Sequence, residues 1–164
     1  MTIEHAIVQA RHKPWGSRNL LPWSDISAGD DPIGELWFRR ADAAAPESAL
    51  LLKLLFTTEP LSIQVHPDDA FARSIGLANG KTEAWYILSA APDARVAVGL
   101  KRPLPPTELR SAIADGSIAD LVRWRPVRRG ETIFVPAGTI HAHWNPSSTE
   151  SLRFLEFMKS CLRS

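Results

Sequence analysis

The sequence predicts a mainly β protein, an antiparallel sandwich or small barrel with a small helical insertion. Three observations lead there. Short apolar or alternating runs recur along the 164 residues between Gly and Pro turns. The clear helical pattern is confined to one stretch, about residues 104–123. Strands do not alternate with helices, so a parallel βαβ sheet is not expected.

Taken in order, residues 1–33 read as an irregular arm punctuated by Pro14, Pro22 and Pro32 with Gly16 and Gly29. GELWFRRAD (34–42) is a short strand. ALLLKLLFTT (49–58), flanked by Pro46 and Pro60, is a continuous apolar run suited to a strand buried on both faces, with Lys53 set oddly inside it. A corner or hairpin at Glu59-Pro60 leads into LSIQVHP (61–67). There Leu61, Ile63 and Val65 alternate with Ser62, Gln64 and His66 before Pro67 stops the run. Asp at the start and Gly at the end of DDAFARSIG (68–76) mark a short capped helix.

EAWYILSA (83–90) and RVAVGL (95–100) are strands on either side of the turn Ala91-Pro92-Asp93. PPTELRSAIADGSIADLV (105–122) predicts two short helices split at Gly116, with Thr107 as N-cap. The remainder, VRWRPVRRGETIFVPAGTIHAHW, returns to strands with turns at Arg129-Gly130 and Pro136-Ala137-Gly138. No repeat, linker or low-complexity segment interrupts the chain, and one domain is expected over residues 1–164.

Charge excludes some function classes. With 19 basic and 18 acidic residues the net charge is +1, so no nucleic-acid or membrane partner that needs a large basic field is expected. The local cluster Arg123, Arg125, Arg128 and Arg129 reads as a solvated strand and turn. Cys161 is the one cysteine, the N-terminal segment has no apolar signal region, and no run is long enough to span a bilayer. These features predict a cytoplasmic protein.

The second face of LSIQVHP offers a hydroxyl, an amide and an imidazole where a surface strand would carry Lys, Glu or Thr. Gln64 and His66, two apart, project from one face about 6–7 Å apart along a strand, close enough to reach one ion. Glu83 opens the next strand and His141 follows the PAGT turn, with His143 as an alternative in its place. Two imidazoles, a carboxylate and an amide oxygen form a mixed N and O set suited to zinc, and also to Mn, Fe, Co or Ni. Each residue alone has an ordinary structural reading, a hydrogen-bonded rim histidine or a corner charge; the combination carries the metal reading.

PLSIQVHPDD, GKTEAWYIL and GETIFVPAGTIHA, preceded by KPWGSRNL and IGELWF, resemble the type I mannose-6-phosphate isomerase family, the zinc-dependent phosphomannose isomerases, in the same order along most of the chain. The resemblance implies a cupin-type antiparallel β-barrel (jelly roll) and a zinc ion held by Gln64, His66, Glu83 and His141. It implies catalytic roles for Lys81 and Lys53, with Ser62 and Lys53 near the phosphate of a hexose 6-phosphate. The implied reaction interconverts mannose 6-phosphate and fructose 6-phosphate through an enediol.

The match ends after His141-Ala142. The tail, about residues 143–164, reads as the divergent or truncated C-terminus of a short bacterial form. Glu156 or Glu150 stands where the family has an acid. No residue matches the family's C-terminal Arg, and Arg163 is too near the end to be carried over. Missing strands would leave a sheet edge that a homodimer partner could cover. The alternative is a metal-binding cupin that holds a sugar or sugar phosphate without efficient turnover. A metal-dependent oxygenase is disfavoured, because it would prefer H-x-H to Q-x-H on this strand.

Overall fold

The computed structural model describes residues 3–42, 44–45, 48–145 and 152–159. Glu150, Cys161 and Arg163 lie outside these residues, as does the rest of segments 146–151 and 160–164 of the tail. The strands are β1 (Ile7–Ser17), β2 (Ile33–Arg39), β3 (Leu50–Thr57), β4 (Glu83–Ser89), β5 (Arg95–Leu100), β6 (Val122–Pro126), β7 (Thr132–Val135), β8 (His141–Trp144) and β9 (Leu152–Lys159). They form a six-stranded sheet in the order β1-β2-β3-β9-β4-β7 and a three-stranded sheet in the order β6-β5-β8. Every strand pairing is antiparallel. The mainly β, cupin-like expectation holds, as two sheets rather than a closed barrel.

The arm differs from expectation. Residues Ile7–Ser17 form β1, paired with β2 and broken by register shifts around His12. Pro14 is tolerated because β1 is an edge strand, where a missing N–H costs no ladder bond. LSIQVHP departs in the opposite sense. It is extended but, among the described residues, joins the sheets only through the Gln64–His141 bridge and the Leu61 N–H bond to the His143 carbonyl, 3.0 Å. Pro60 and Pro67 at its ends cannot donate and limit it to that short pairing.

The insertion folds as α2 (Pro106–Asp115) and α3 (Ile118–Leu121), divided at Gly116, whose φ is 82°. The N-cap is Pro105 rather than Thr107, because Pro106 takes the first helical position with its φ already set. The short helix α1 (Asp69–Ser74) is capped as expected, the Asp68 side chain accepting from the Phe71 N–H at 2.7 Å. Arg123, Arg125, Arg128 and Arg129 are exposed, and Arg125 pairs with Glu131 at 2.6 Å.

Three apolar clusters hold the layers. Leu55, Trp85, Ile87, Val96, Ile133, Val135, Leu152 and Phe154 fill the space between the sheets. Leu36, Leu54 and Phe56 are covered on the other face by Leu20, Trp23, Ile26 and Ala28. Ala97, Val122 and Ala142 pack against Ala112 and Ile118 of the insertion. Burying a side chain the size of Trp85 or Phe154 is worth about 3–5 kcal/mol against truncation to Ala. Rigid packing of this kind fixes the strands that carry the site.

Candidate metal centre

Three segments distant in sequence are tied together at one end of the sheets. Gln64 and His141 exchange backbone hydrogen bonds of 2.9 and 2.8 Å. The Gly138 N–H donates to the His66 carbonyl at 2.8 Å, locking the PAGT turn to the HPDD segment. The Lys81 N–H donates to the Pro67 carbonyl at 3.1 Å, and the Gly80 N–H to Asp69 Oδ1 at 2.8 Å. A Cβ on Gly80 would lie 2.5 Å from the Asp68 backbone, so only glycine permits this approach.

The side chains so gathered are His66, Glu83 and His141, each offering a ligand atom within 4.8 Å of the others. His66 Nε2 lies 3.3 Å from Glu83 Oε1, and His141 Nε2 lies 3.8 Å from Glu83 Oε2. Glu83 and His141 are buried, at 2% and 1% exposure. His141 Nδ1 faces the Thr139 carbonyl at 2.9 Å, which puts the proton on Nδ1 and turns the Nε2 lone pair into the cluster. That Nε2 is buried without a hydrogen-bond partner. Two imidazole nitrogens and a carboxylate, one nitrogen orphaned, fit a divalent transition metal. Gln64 lines the adjoining cavity.

Lys81 supplies a positive charge at this point. Its Nζ is 2.6 Å from Glu83 Oε1 and 2.9 Å from His66 Nε2, and 3.7 Å from Glu156 Oε1. Burial and then Lys81 push the His66 imidazole down to about 4, so it is neutral and able to ligate at neutral pH. Burial also lowers His141. For Glu83, burial raises the carboxyl, but Lys81, Glu156 and His141 together outweigh it and bring it to about 2. Glu156 goes the other way, raised by burial and by the neighbouring Glu83 to about 7. The pair therefore holds one proton near neutrality.

A polar cavity of about 220 Å³ opens beside the cluster, lined among others by Lys13, Glu35, Lys53, Ser62, Glu83 and Glu156. Lys53, the odd residue of the apolar run, is buried at 6% exposure. It lies 3.7 Å from both Glu35 and Glu156, and 4.6 Å from the centre of the Trp37 ring. Ser62 is exposed at the cavity wall. His143, the alternative ligand, is packed between a tilted Trp85 ring at 4.2 Å and a stacked Phe154 ring at 4.5 Å. Both its nitrogens lack hydrogen-bond partners, and burial pushes it down to about 3. It stays outside the His66–Glu83–His141 cluster.

The sequence reading missed Glu35, Lys13 and Trp15 as cavity residues. A signal existed for Glu35, since alternation in GELWF sets it on the face of Trp37, opposite Leu36 and Phe38.

No family model matches the chain. The mannose-6-phosphate isomerase of Streptococcus mutans is 42% identical over 93 residues, covering 57% of this chain and 29% of that protein. The mannose-6-phosphate isomerase ManA of Bacillus subtilis is 38% identical over 94 residues, covering 57% of this chain and 30% of that protein. The matched stretch thus spans under a third of these curated relatives. Among solved structures, the mannose 6-phosphate isomerase from Bacillus subtilis superposes with a TM-score of 0.78 at 26% identity, covering 96% of this chain and 58% of that one. A phosphomannose isomerase from Salmonella typhimurium gives 0.68 at 16% identity over 98% of this chain and 68% of that one, a likeness of fold alone. The resemblance drawn from the motifs is borne out: the chain is similar to mannose-6-phosphate isomerases.

Proposed function

We propose that this chain carries the catalytic site of a metal-dependent aldose–ketose isomerase that interconverts mannose 6-phosphate and fructose 6-phosphate. One observation carries the reading. A His66–Glu83–His141 cluster, with Glu83 and His141 buried and His66 half-buried, opens onto a polar cavity where Lys81 touches both Glu83 and His66. Similarity to proteins named mannose-6-phosphate isomerase supports the choice of substrate.

His66, Glu83 and His141, with the Gln64 amide, would hold the ion. When bound, a zinc ion or another divalent transition metal polarises the sugar oxygens and stabilises oxyanion charge. The reaction moves a proton between C2 and C1 through an enediol, and a second proton between the two oxygens. Glu156 is the cavity carboxyl that exchanges a proton near neutral pH, which suits it to take a carbon-bound proton and return it. Lys81, 3.7 Å from Glu156 and 2.6 Å from Glu83, stabilises negative charge on either side of that transfer. The apolar wall of Leu55 and Trp15 limits water around the enediol.

A coupled assay for fructose 6-phosphate from mannose 6-phosphate, on chain reloaded with zinc, tests this. Turnover that a chelator abolishes and zinc restores is expected. Turnover that survives chelation, or metal binding with no turnover, contradicts it; the second result would leave a metal-binding cupin that holds its sugar unchanged. The same chemistry implies a soluble hexose phosphate as the partner, and we place the protein in the cytoplasm. No helix among the described residues is long and apolar enough to cross a membrane.

A further inference from the structure

The cavity is lined by three ammonium groups, and among the described residues only one of them lacks a carboxylate within ion-pair distance. Lys53 lies 3.7 Å from both Glu35 and Glu156. Lys81 lies 2.6 Å from Glu83 and 3.7 Å from Glu156. A phosphate dianion brought to either would also meet the acidic side chains already paired there, and their negative charge offsets the attraction. Lys13 also lines the cavity, and it makes no ion pair among the described residues.

Its place in the fold matches the shape of the substrate. Lys13 sits on β1 and Glu83 on β4, at opposite ends of the run β1-β2-β3-β9-β4 that underlies the cavity. In a hexose 6-phosphate the reacting carbons and the phosphate are likewise at opposite ends of the carbon chain. The Lys13 stem is also seated. A Cβ added to Gly34 would fall 2.6 Å from both Lys13 Cβ and Cγ and 2.7 Å from Trp15 Cζ3. The bare glycine leaves the slot into which these two cavity-lining side chains settle.

We propose that Lys13 is the cation that receives the substrate phosphate, with the sugar's reacting end at the His66–Glu83–His141 cluster. The assignment rests on the hexose 6-phosphate reading above and makes Lys13 a specificity-determining residue. Lys53 then serves to position Glu156 and Glu35.

The test is titration calorimetry of the zinc-loaded full chain with fructose 6-phosphate, alongside Lys13→Met, Lys13→Arg and Lys53→Met. One charge-assisted contact at a partly solvated site is worth about tenfold in affinity. Lys13→Met is expected to raise the Kd about tenfold and weaken its salt dependence, with metal content unchanged and Lys13→Arg recovering most of the loss. In turnover the same variant raises KM and leaves kcat nearly alone. Unchanged affinity and salt dependence in Lys13→Met overturns the assignment while leaving the isomerase reading standing. Failure of the parent chain to bind fructose 6-phosphate overturns both.

Discussion

Replacing Lys53 with Met keeps the aliphatic stem and removes the charge, so it isolates the ion-pair contribution. Lys53, Glu35 and Glu156 are nearly closed to solvent, with side-chain exposures of 8%, 13% and 6%. Removing one partner from a buried charge group costs about 3–5 kcal/mol. Both contacts here are 3.7 Å and Glu156 keeps Lys81 at the same distance, which sets the expectation at the low end, about 3 kcal/mol. The cost also depends on pH. Glu156 is raised above the ordinary carboxyl value to about 7, so the stability tied to its protonated form is complete below 4.5 and lost as pH rises through about 7. Without Lys53 the carboxyl rises further. The variant's deficit should therefore be smaller at pH 6, where Glu156 is protonated in both proteins, and larger at pH 8. Urea unfolding of the metal-free chain at the two pH values measures it, and adding Glu156→Gln to Lys53→Met should recover part of the loss through a double-mutant cycle. A deficit under about 1 kcal/mol at pH 8, or one that grows toward acid, refutes the idea that Lys53 is held to balance buried carboxylates.

His141→Ala removes the imidazole whose Nε2 points unpartnered into the cluster. Zinc affinity measured by competition with a chromophoric chelator should fall about a hundredfold or more. Gly80→Ala would press its Cβ on the Asp68 backbone and shift the residue that precedes Lys81, so the melting temperature and zinc affinity should drop together. His143→Phe replaces a buried imidazole with no hydrogen bond by an apolar ring, which should leave stability at pH 7 equal or higher. Burial holds His143 at about 3, below its ordinary value, so the folded chain is penalised as pH falls from about 6.5 toward 3. Thermal melts of the metal-free variant should accordingly show a flatter acid limb than the parent.

The most readable residues were those whose chemistry conflicts with their surroundings. Lys53 within ALLLKLLFTT and the imidazole of LSIQVHP stood out on residue type and alternation, which pointed to His66, Glu83 and either His141 or His143, and the motif resemblance implied His141. Two things were hidden. β1 was masked by Pro14 and Gly16, which interrupt a strand pattern but are tolerated at a sheet edge. The charge network was hidden by topology. β9 inserts between β3 and β4, so Glu156 meets a Lys more than a hundred positions earlier in the chain, and no local pattern encodes that choice of neighbour.

Register makes the site and the fold one determinant. β9 sets Glu156 opposite Lys53 on one side and Trp85 on the other. Trp85 donates to Glu83 Oε2 at 2.9 Å from two residues along the same strand face. A slip of one residue would turn Glu156 outward and bring Leu155 or Phe157 against Lys53, leaving that ammonium buried without Glu156. In the observed register the expected amphipathic sense is reversed at this point, with Glu156 buried and Phe157 45% exposed. Leu152, Phe154 and Met158 are buried on the same face of β9, so hydrophobic burial sets this register and carries Glu156 inside with them. Lys53 and Lys81 pair with it, and what they hold there is a carboxyl titrating near neutrality beside a cluster suited to a metal. The strand pairing that buries the apolar face of β9 thus also places this carboxyl between its two lysines, so core and site are built by one register.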